Sequence, residues 1–283
     1  MSLSALVGAL SGVPDLALRA QEPMSRHTEL RVGGAADLWV VVETEEALEA
    51  VAREGKSLGQ RLHFFSDTHV LVRDGGLEGV WLRMGALARG IHQEEGGGVS
   101  VGALHPTAAL DAYLREHQNV VIPHLSGRSG TVEDAFHAGL LTGWVEGCRV
   151  LRGTRVVELP VEKRSEKQPL IRFLLRSEGL PEVDPRGQLT LLPEQIRALG
   201  RPGRIMNDLE EESASQLIQE TGLSGVRLRG VRIGTQECNA LLNLGGASAE
   251  DIWLVFQMIR DRVKLQTGHV LEVSIRRIGR GMK

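Results

Sequence analysis

The sequence predicts an α+β protein, a two-lobed body followed by a smaller C-terminal α+β lobe. Three observations predict it. Between residues 20 and 178, short β-branched apolar runs alternate with stretches of helical period. A segment with two prolines and alternating charges, 180–186, then breaks the pattern as a linker would. Beyond it, Ile252, Val255, Phe256, Ile259 and Val263 line one face of a long helix, and an apolar run at 270–275 follows. The expected division is an N-terminal extension at 1–19, a first lobe at 20–85, a second at 86–178 and a C-terminal domain at 179–283.

Each element has a local reason. Leu3, Leu6, Val7 and Leu10 recur at helical spacing, so the extension holds a short amphipathic helix, either packed on the body or serving as a partner-binding arm. Residues 38–42 form a strand. Thr44 caps the helix after it, with Glu45 and Glu46 in the first turn and Ala47, Leu48 and Val51 facing inward. Strands follow at 61–65, 70–72 and 80–84, with a turn at Asp74-Gly75-Gly76. The second lobe reads as a strand at 99–102, a helix at 108–117, a short buried strand at 120–122, a hairpin of 149–151 with 156–159, and a strand at 171–175. Ser248 and Asp251 carry the capping-box spacing at the start of the long helix, and 270–275 reads as the closing strand.

Composition excludes several classes. The 283 residues carry a formal charge of −3, with a sequence pI of 6.3, so no basic field draws the chain to nucleic acid. No run reaches the ~20 apolar residues of a membrane span, and residues 1–20 lack a signal peptide's basic start and apolar core. Cys148 and Cys238, without a CxxC, fit a reduced cytoplasmic protein. Phosphate-loop, HExxH and GxSxG patterns are absent. His63 and His69 have no carboxylate or cysteine at ligand spacing, so no metal site is expected.

More specific stretches remain. His27-Thr28-Glu29-Leu30-Arg31-Val32-Gly33-Gly34-Ala35-Ala36-Asp37-Leu38 precedes Phe65-Ser66-Asp67-Thr68-His69, and Val70-Leu71-Val72-Arg73-Asp74-Gly75-Gly76 comes after. Further on stand Gly222-Leu223-Ser224-Gly225, then Gly234-Thr235-Gln236-Glu237-Cys238-Asn239-Ala240-Leu241-Leu242-Asn243, and finally Leu271-Glu272-Val273-Ser274-Ile275-Arg276-Arg277-Ile278-Gly279. This frame, from His27 to Gly279, resembles the MurB family, the UDP-N-acetylmuramate dehydrogenases of peptidoglycan synthesis. The resemblance implies a two-lobed FAD-binding fold of the MurB/PCMH type with a C-terminal substrate-domain-like lobe. The frame's glycines and apolar residues argue for the fold rather than for chemistry.

At the positions where that family does its chemistry, this chain reads differently. Phe65, Ser66, Asp67, Thr68 and His69 stand where the family has a Gly-Gly-Gly-Ser-Asn loop for the FAD pyrophosphate. A diphosphate needs backbone N–H groups at close range and no competing carboxylate. Like charges 4 Å apart cost about 4 kcal/mol at an effective dielectric near 20. In the second flavin loop, here Gly127 to Gly139, the family's Gly-Gly pair has become Glu133-Asp134, with Arg128 the one cation to offset them. Arg204 occupies the position of the family's proton-donating serine, and a guanidinium does not release its proton near neutral pH. Ser274 occupies that of its catalytic glutamate, with Glu272 two residues earlier. Arg164, in a solvated charge run, is the nearest match to its catalytic arginine.

The expected function is therefore that of a MurB-like protein without FAD and without catalytic residues. It would be a structural or interaction protein, with cell-wall synthesis or division proteins as partners. Two alternatives stay open: a vestigial cleft that binds a UDP-sugar or another anion through Arg31, Arg164 and Arg204, and an FAD- and NADPH-dependent reductase with altered loops.

Overall fold

The computed structural model describes residues 3–65, 70–94, 98–118, 120–122, 125, 130–137, 139–141, 143–165, 168–175, 205–209 and 212–281. The chain divides into two compact units. The first comprises Met1–Arg19, Trp39–Phe65 and Gly79–Leu199; the second comprises Ala20–Leu38, Ser66–Glu78 and Gly200–Lys283. The expected linker at 180–186 lies outside the described residues.

The chain opens with α1 (Leu3–Leu10), which buries Leu6 and Leu10 and packs on α2 (Glu45–Ser57). The extension is thus docked by its apolar face. Thr44 caps α2 as its sequence predicts, its hydroxyl accepting the Ala47 N–H at 3.3 Å. Strands β1 (Leu16–Pro23), β2 (Ala35–Val42), β3 (Leu62–Phe64) and β5 (Leu77–Met84) form a sheet in the order β1-β2-β5-β3. The run β4 (Val70–Val72) does not join it. Instead β4 pairs in parallel with β14 (Arg276–Ile278), which lets all three of its apolar side chains be buried.

A second sheet has the order β6-β7-β10-β8-β9, from β6 (Ile91–Gln93), β7 (Val99–Gly102), β8 (Val145–Arg152), β9 (Arg155–Pro160) and β10 (Leu170–Leu175). The predicted hairpin is β8–β9, closed by Gly153 at φ +66°. One face of this sheet carries Val101, Cys148, Val150 and Phe173. They pack with Leu110 of α3 (Thr107–Tyr113), with Leu114 directly after it, and with Val132 and Ala135 of α4 (Val132–His137). The predicted strand at 120–122 is not formed. Val120 donates its N–H to Leu114 O, and although Ile122 is buried, Val121 is 42% exposed, so no sheet neighbour recruits the run.

The second unit centres on α6 (Ala249–Thr267), whose predicted stripe from Ile252 to Val263 is buried. Packed with it are α5 (Ala214–Glu220) and the three-stranded sheet of β11 (Arg227–Leu228), β12 (Val231–Ile233) and β13 (Leu241–Asn243). The Ser248–Asp251 capping box forms as predicted, and Gly268 closes the helix at φ +79°. The expected strand at 270–275 is an isolated bridge of Val273 to Met206, and regular pairing begins only at β14.

Candidate functional site

The frame around the first altered loop is held by close backbone packing. Gly34 donates its N–H to Arg73 O at 3.0 Å, and a Cβ on it would lie 2.0 Å from Asp74 O. A Cβ on Gly76 would lie 2.0 Å from Ala35 O. These two glycines are therefore needed for the fold whatever the loop binds. Asp74, read from the sequence as part of a turn, also has a structural task. Its carboxylate accepts the N–H groups of Ala249 and Glu250 at 2.8 and 3.1 Å, capping α6 from outside its own chain segment.

Within the loop itself, Phe65 is described and Ser66, Asp67, Thr68 and His69 lie outside the described residues. Phe65 is 4% exposed. Its ring stands edge-on to Trp39 at 5.2 Å and to Trp81 at 6.3 Å, while Trp81 stacks on His63 at 4.8 Å. Its N–H donates to Leu82 O at 2.8 Å. Phe65 is thus an aromatic core member, and its amide is already in use.

The second altered loop is the better defined. Residues 126–129, with Arg128 and Ser129, lie outside the described residues, but the start of α4 is described. Its polar groups close on themselves. The Asp134 carboxylate accepts the Thr131 N–H at 2.9 Å and the Thr131 hydroxyl at 2.8 Å. The Asp134 N–H donates to the Thr131 Oγ1 at 3.2 Å. Between them, Val132 N–H donates to His105 O and Glu133 N–H to Ala103 O, both at 2.9 Å. Every backbone N–H from Thr131 to Asp134 has an acceptor inside the protein. Thr-x-x-Asp is a capping-box spacing. That spacing is legible in the sequence, where it overlaps the Glu133-Asp134 pair. Glu133 points elsewhere, 3.7 Å from His137.

The segment holding Ser274 pairs through its backbone with residues 205–207. Ser274 donates its N–H to Ile205 O at 3.0 Å, and Asn207 donates to Glu272 O at 2.8 Å. Arg204 itself lies outside the described residues, but its neighbour Ile205 is bonded directly to Ser274. Asn239 secures the same segment. It is fully buried, accepts the Met206 N–H on Oδ1 at 2.9 Å and donates from Nδ2 to Met206 O at 2.8 Å. Arg164 lies in the first unit, its guanidinium 5.8 Å from the centre of the Phe136 ring on α4. Arg31 lies in the second, exposed and at φ +53°.

A cavity of 370 Å³ in the first unit is lined by residues that include Glu43, Glu45, His92, Glu94, Arg149 and Arg172. Its cations are already committed. Arg172, 6% exposed, spends its donors on Ser100 Oγ and on the carbonyls of Leu87, Arg89, Gly90 and Ser100, at 3.0–3.4 Å. Arg149 pairs with Glu45 at 2.9 Å. Burial pushes the Glu45 carboxyl above the ordinary range against the pull of Arg149. Arg172 is a knot that ties the segment before β6 to the sheet, and the sequence carried no signal for it. Among the described residues no group of histidine, cysteine, aspartate and glutamate is arranged for a metal ion. Both cysteines are free and buried. No described helix is long and apolar enough to cross a membrane.

Residues 184–278 match the family model described as "UDP-N-acetylenolpyruvoylglucosamine reductase, C-terminal domain". Among curated proteins, UDP-N-acetylenolpyruvoylglucosamine reductase of Geobacter sulfurreducens is 30% identical, with 91% of this chain and 93% of that protein covered. The protein of the same name from Pelobacter propionicus is also 30% identical, over 93% of this chain and 96% of its own length. Among solved structures, UDP-N-acetylenolpyruvylglucosamine reductase (MurB) from Thermus caldophilus matches with a TM-score of 0.64 at 20% identity, covering 93% of this chain and 99% of that one. That structural match establishes the fold.

Proposed function

The chain belongs to the UDP-N-acetylenolpyruvoylglucosamine reductase (MurB) family, and we propose that it is a member which neither holds FAD in the family manner nor reduces the family's substrate. Its role is then structural or interaction-based, in the cytoplasmic synthesis of peptidoglycan. The observation that carries this is the start of α4, where a flavin diphosphate would require open N–H groups. All four amides from Thr131 to Asp134 are satisfied internally, and the Asp134 carboxylate occupies the first turn. Binding a diphosphate there would break those bonds and set it beside a carboxylate. Phe65 adds to the misfit, because its amide and ring are both built into the core. The described residues do not fit FAD, and no reaction step is assigned to it.

The two positions that carry proton transfer in the family support the same conclusion. Ile205 O accepts the Ser274 N–H, and this chain has Arg204 and Ser274 where the resemblance puts the family's serine and glutamate. Neither arginine nor serine replaces a general acid of suitable pKa here.

The curated relatives favour a second function, since they carry the name of a reductase at 30% identity over nearly their whole length. Incubating the purified protein with FAD, removing free flavin by gel filtration and recording the flavin absorption band separates the two. No retained flavin and no NADPH oxidation with enolpyruvyl-UDP-N-acetylglucosamine are expected. Stoichiometric flavin with turnover would establish the reductase instead.

A further inference from the structure

The outer face of the β11-β12-β13 sheet carries an arrangement that the fold does not need. Arg227 on β11 sits directly opposite Arg232 on β12, and Arg232 opposite Leu242 on β13. Directly opposed side chains share a face, and like charges there are destabilising. No carboxylate is paired with either arginine among the described residues. The third arginine of the hairpin, Arg229, is drawn instead to Asp251 at 3.3 Å. Beside the pair, Leu242 and Leu244 are 44% and 50% exposed, against 1% for Val231 and Ile233 on the inner face. The bond from Leu244 N–H to Gly230 O carries the ladder past β13, which keeps the two leucines on one face.

We infer that this face docks an extended acidic-apolar peptide segment of a partner protein, with carboxylates on Arg227 and Arg232 and apolar side chains on Leu242 and Leu244. Guanidinium forks suit carboxylates. A free phosphate would answer the arginines and leave the leucines in water. A second copy of this chain meeting the face about a two-fold axis would set arginine against arginine. The surface goes beyond the assigned loss of flavin chemistry, and its test does not depend on flavin.

Short random peptides displayed on phage are selected on the full-length protein, with selection on Arg227→Glu/Arg232→Glu alongside. Enriched sequences should combine aspartate or glutamate with leucine, isoleucine or valine. A synthetic peptide of the leading sequence should bind at least tenfold more weakly to the charge-reversed protein. The same peptide with lysines for its acids should bind the reversed protein better than the native one. Arg227→Gln/Arg232→Gln repeats the comparison if the reversed protein fails to fold, and amide chemical shifts of the native protein locate the peptide. Selection without acidic bias, affinity indifferent to either double substitution, or shifts away from β11-β12-β13 would overturn the proposal. So would inorganic phosphate moving those resonances when no peptide does, or a native dimer that the charge reversal dissolves.

Discussion

The Asp134 carboxylate lies 2.9 Å from the Thr131 amide and 2.8 Å from its hydroxyl, and this reciprocal pair closes the first turn of α4. Replacing either partner by alanine should cost about 1 kcal/mol of stability. Because the two groups serve one cap, the double substitution should cost less than the sum of the singles. Urea midpoints of the four proteins in a double-mutant cycle measure this. Additive losses would show that the pair does not act as one cap.

Phe65 is wedged between the edges of Trp39 and Trp81. Phe65→Ala leaves a cavity among aromatic rings and should destabilise the protein by about 3–5 kcal/mol. Equilibrium denaturation followed by tryptophan fluorescence reads both the loss and the changed surroundings of the indoles. A neutral substitution would mean that the ring is not a core member.

Asn239 satisfies both backbone groups of Met206 from a fully buried site. Asn239→Leu removes both bonds and should cost about 1–3 kcal/mol for each stranded group. Asn239→Asp keeps the acceptor and loses the donor unless it is protonated. Its deficit should therefore shrink as pH is lowered. Thermal melts at several pH values test that ordering.

His105 accepts the Gly90 N–H on Nδ1 at 3.1 Å. Burial first, then Arg172 and Arg89, hold its pKa below the ordinary 6.5. The unfolded chain therefore takes up the proton more readily than the folded one. The stability from neutral His105 is fully present above about pH 6.5 and falls away as pH drops towards the depressed folded value. His63, lowered by burial and then by Arg61, acts in the same direction. Glu45, raised by burial, acts in the opposite direction as it protonates. His105→Gln keeps an acceptor without the titration, so its stability should fall less than the native protein's between pH 7 and 5. Urea midpoints across that range decide it, and parallel curves would exclude His105.

Local rules carried the elements that own their signals. Thr44 with Glu45 and Glu46 marked the start of α2, Ser248 and Asp251 marked α6, and the stripe from Ile252 to Val263 is its buried face. Elements that depend on a distant partner were less legible. β4 looks like a member of the first sheet until β14, some two hundred residues later, is seen to pair with it. The run 120–122 has strand composition and finds no ladder. At the candidate site, the residues Phe65, Glu133, Asp134 and Ser274 were plain in the sequence, but what their side chains and amides engage was not. Thr131 and Asp134 could have been paired from their spacing. The five acceptors around Arg172 come from the segment before β6 and from β7, which no local pattern joins.

The sequence by itself determined the family, the α+β class and the order in which Phe65, Glu133, Asp134, Arg204 and Ser274 stand in the chain. Those are facts of residue identity and order. Only the tertiary structure decided that the amides of Thr131 to Asp134 are closed, that Phe65 is a core ring, and that Arg227 faces Arg232 with no counter-charge among the described residues. The physical reason is that an amide, a ring or a guanidinium is free or committed according to what folding places within hydrogen-bond or contact distance. Those neighbours come from other parts of the chain.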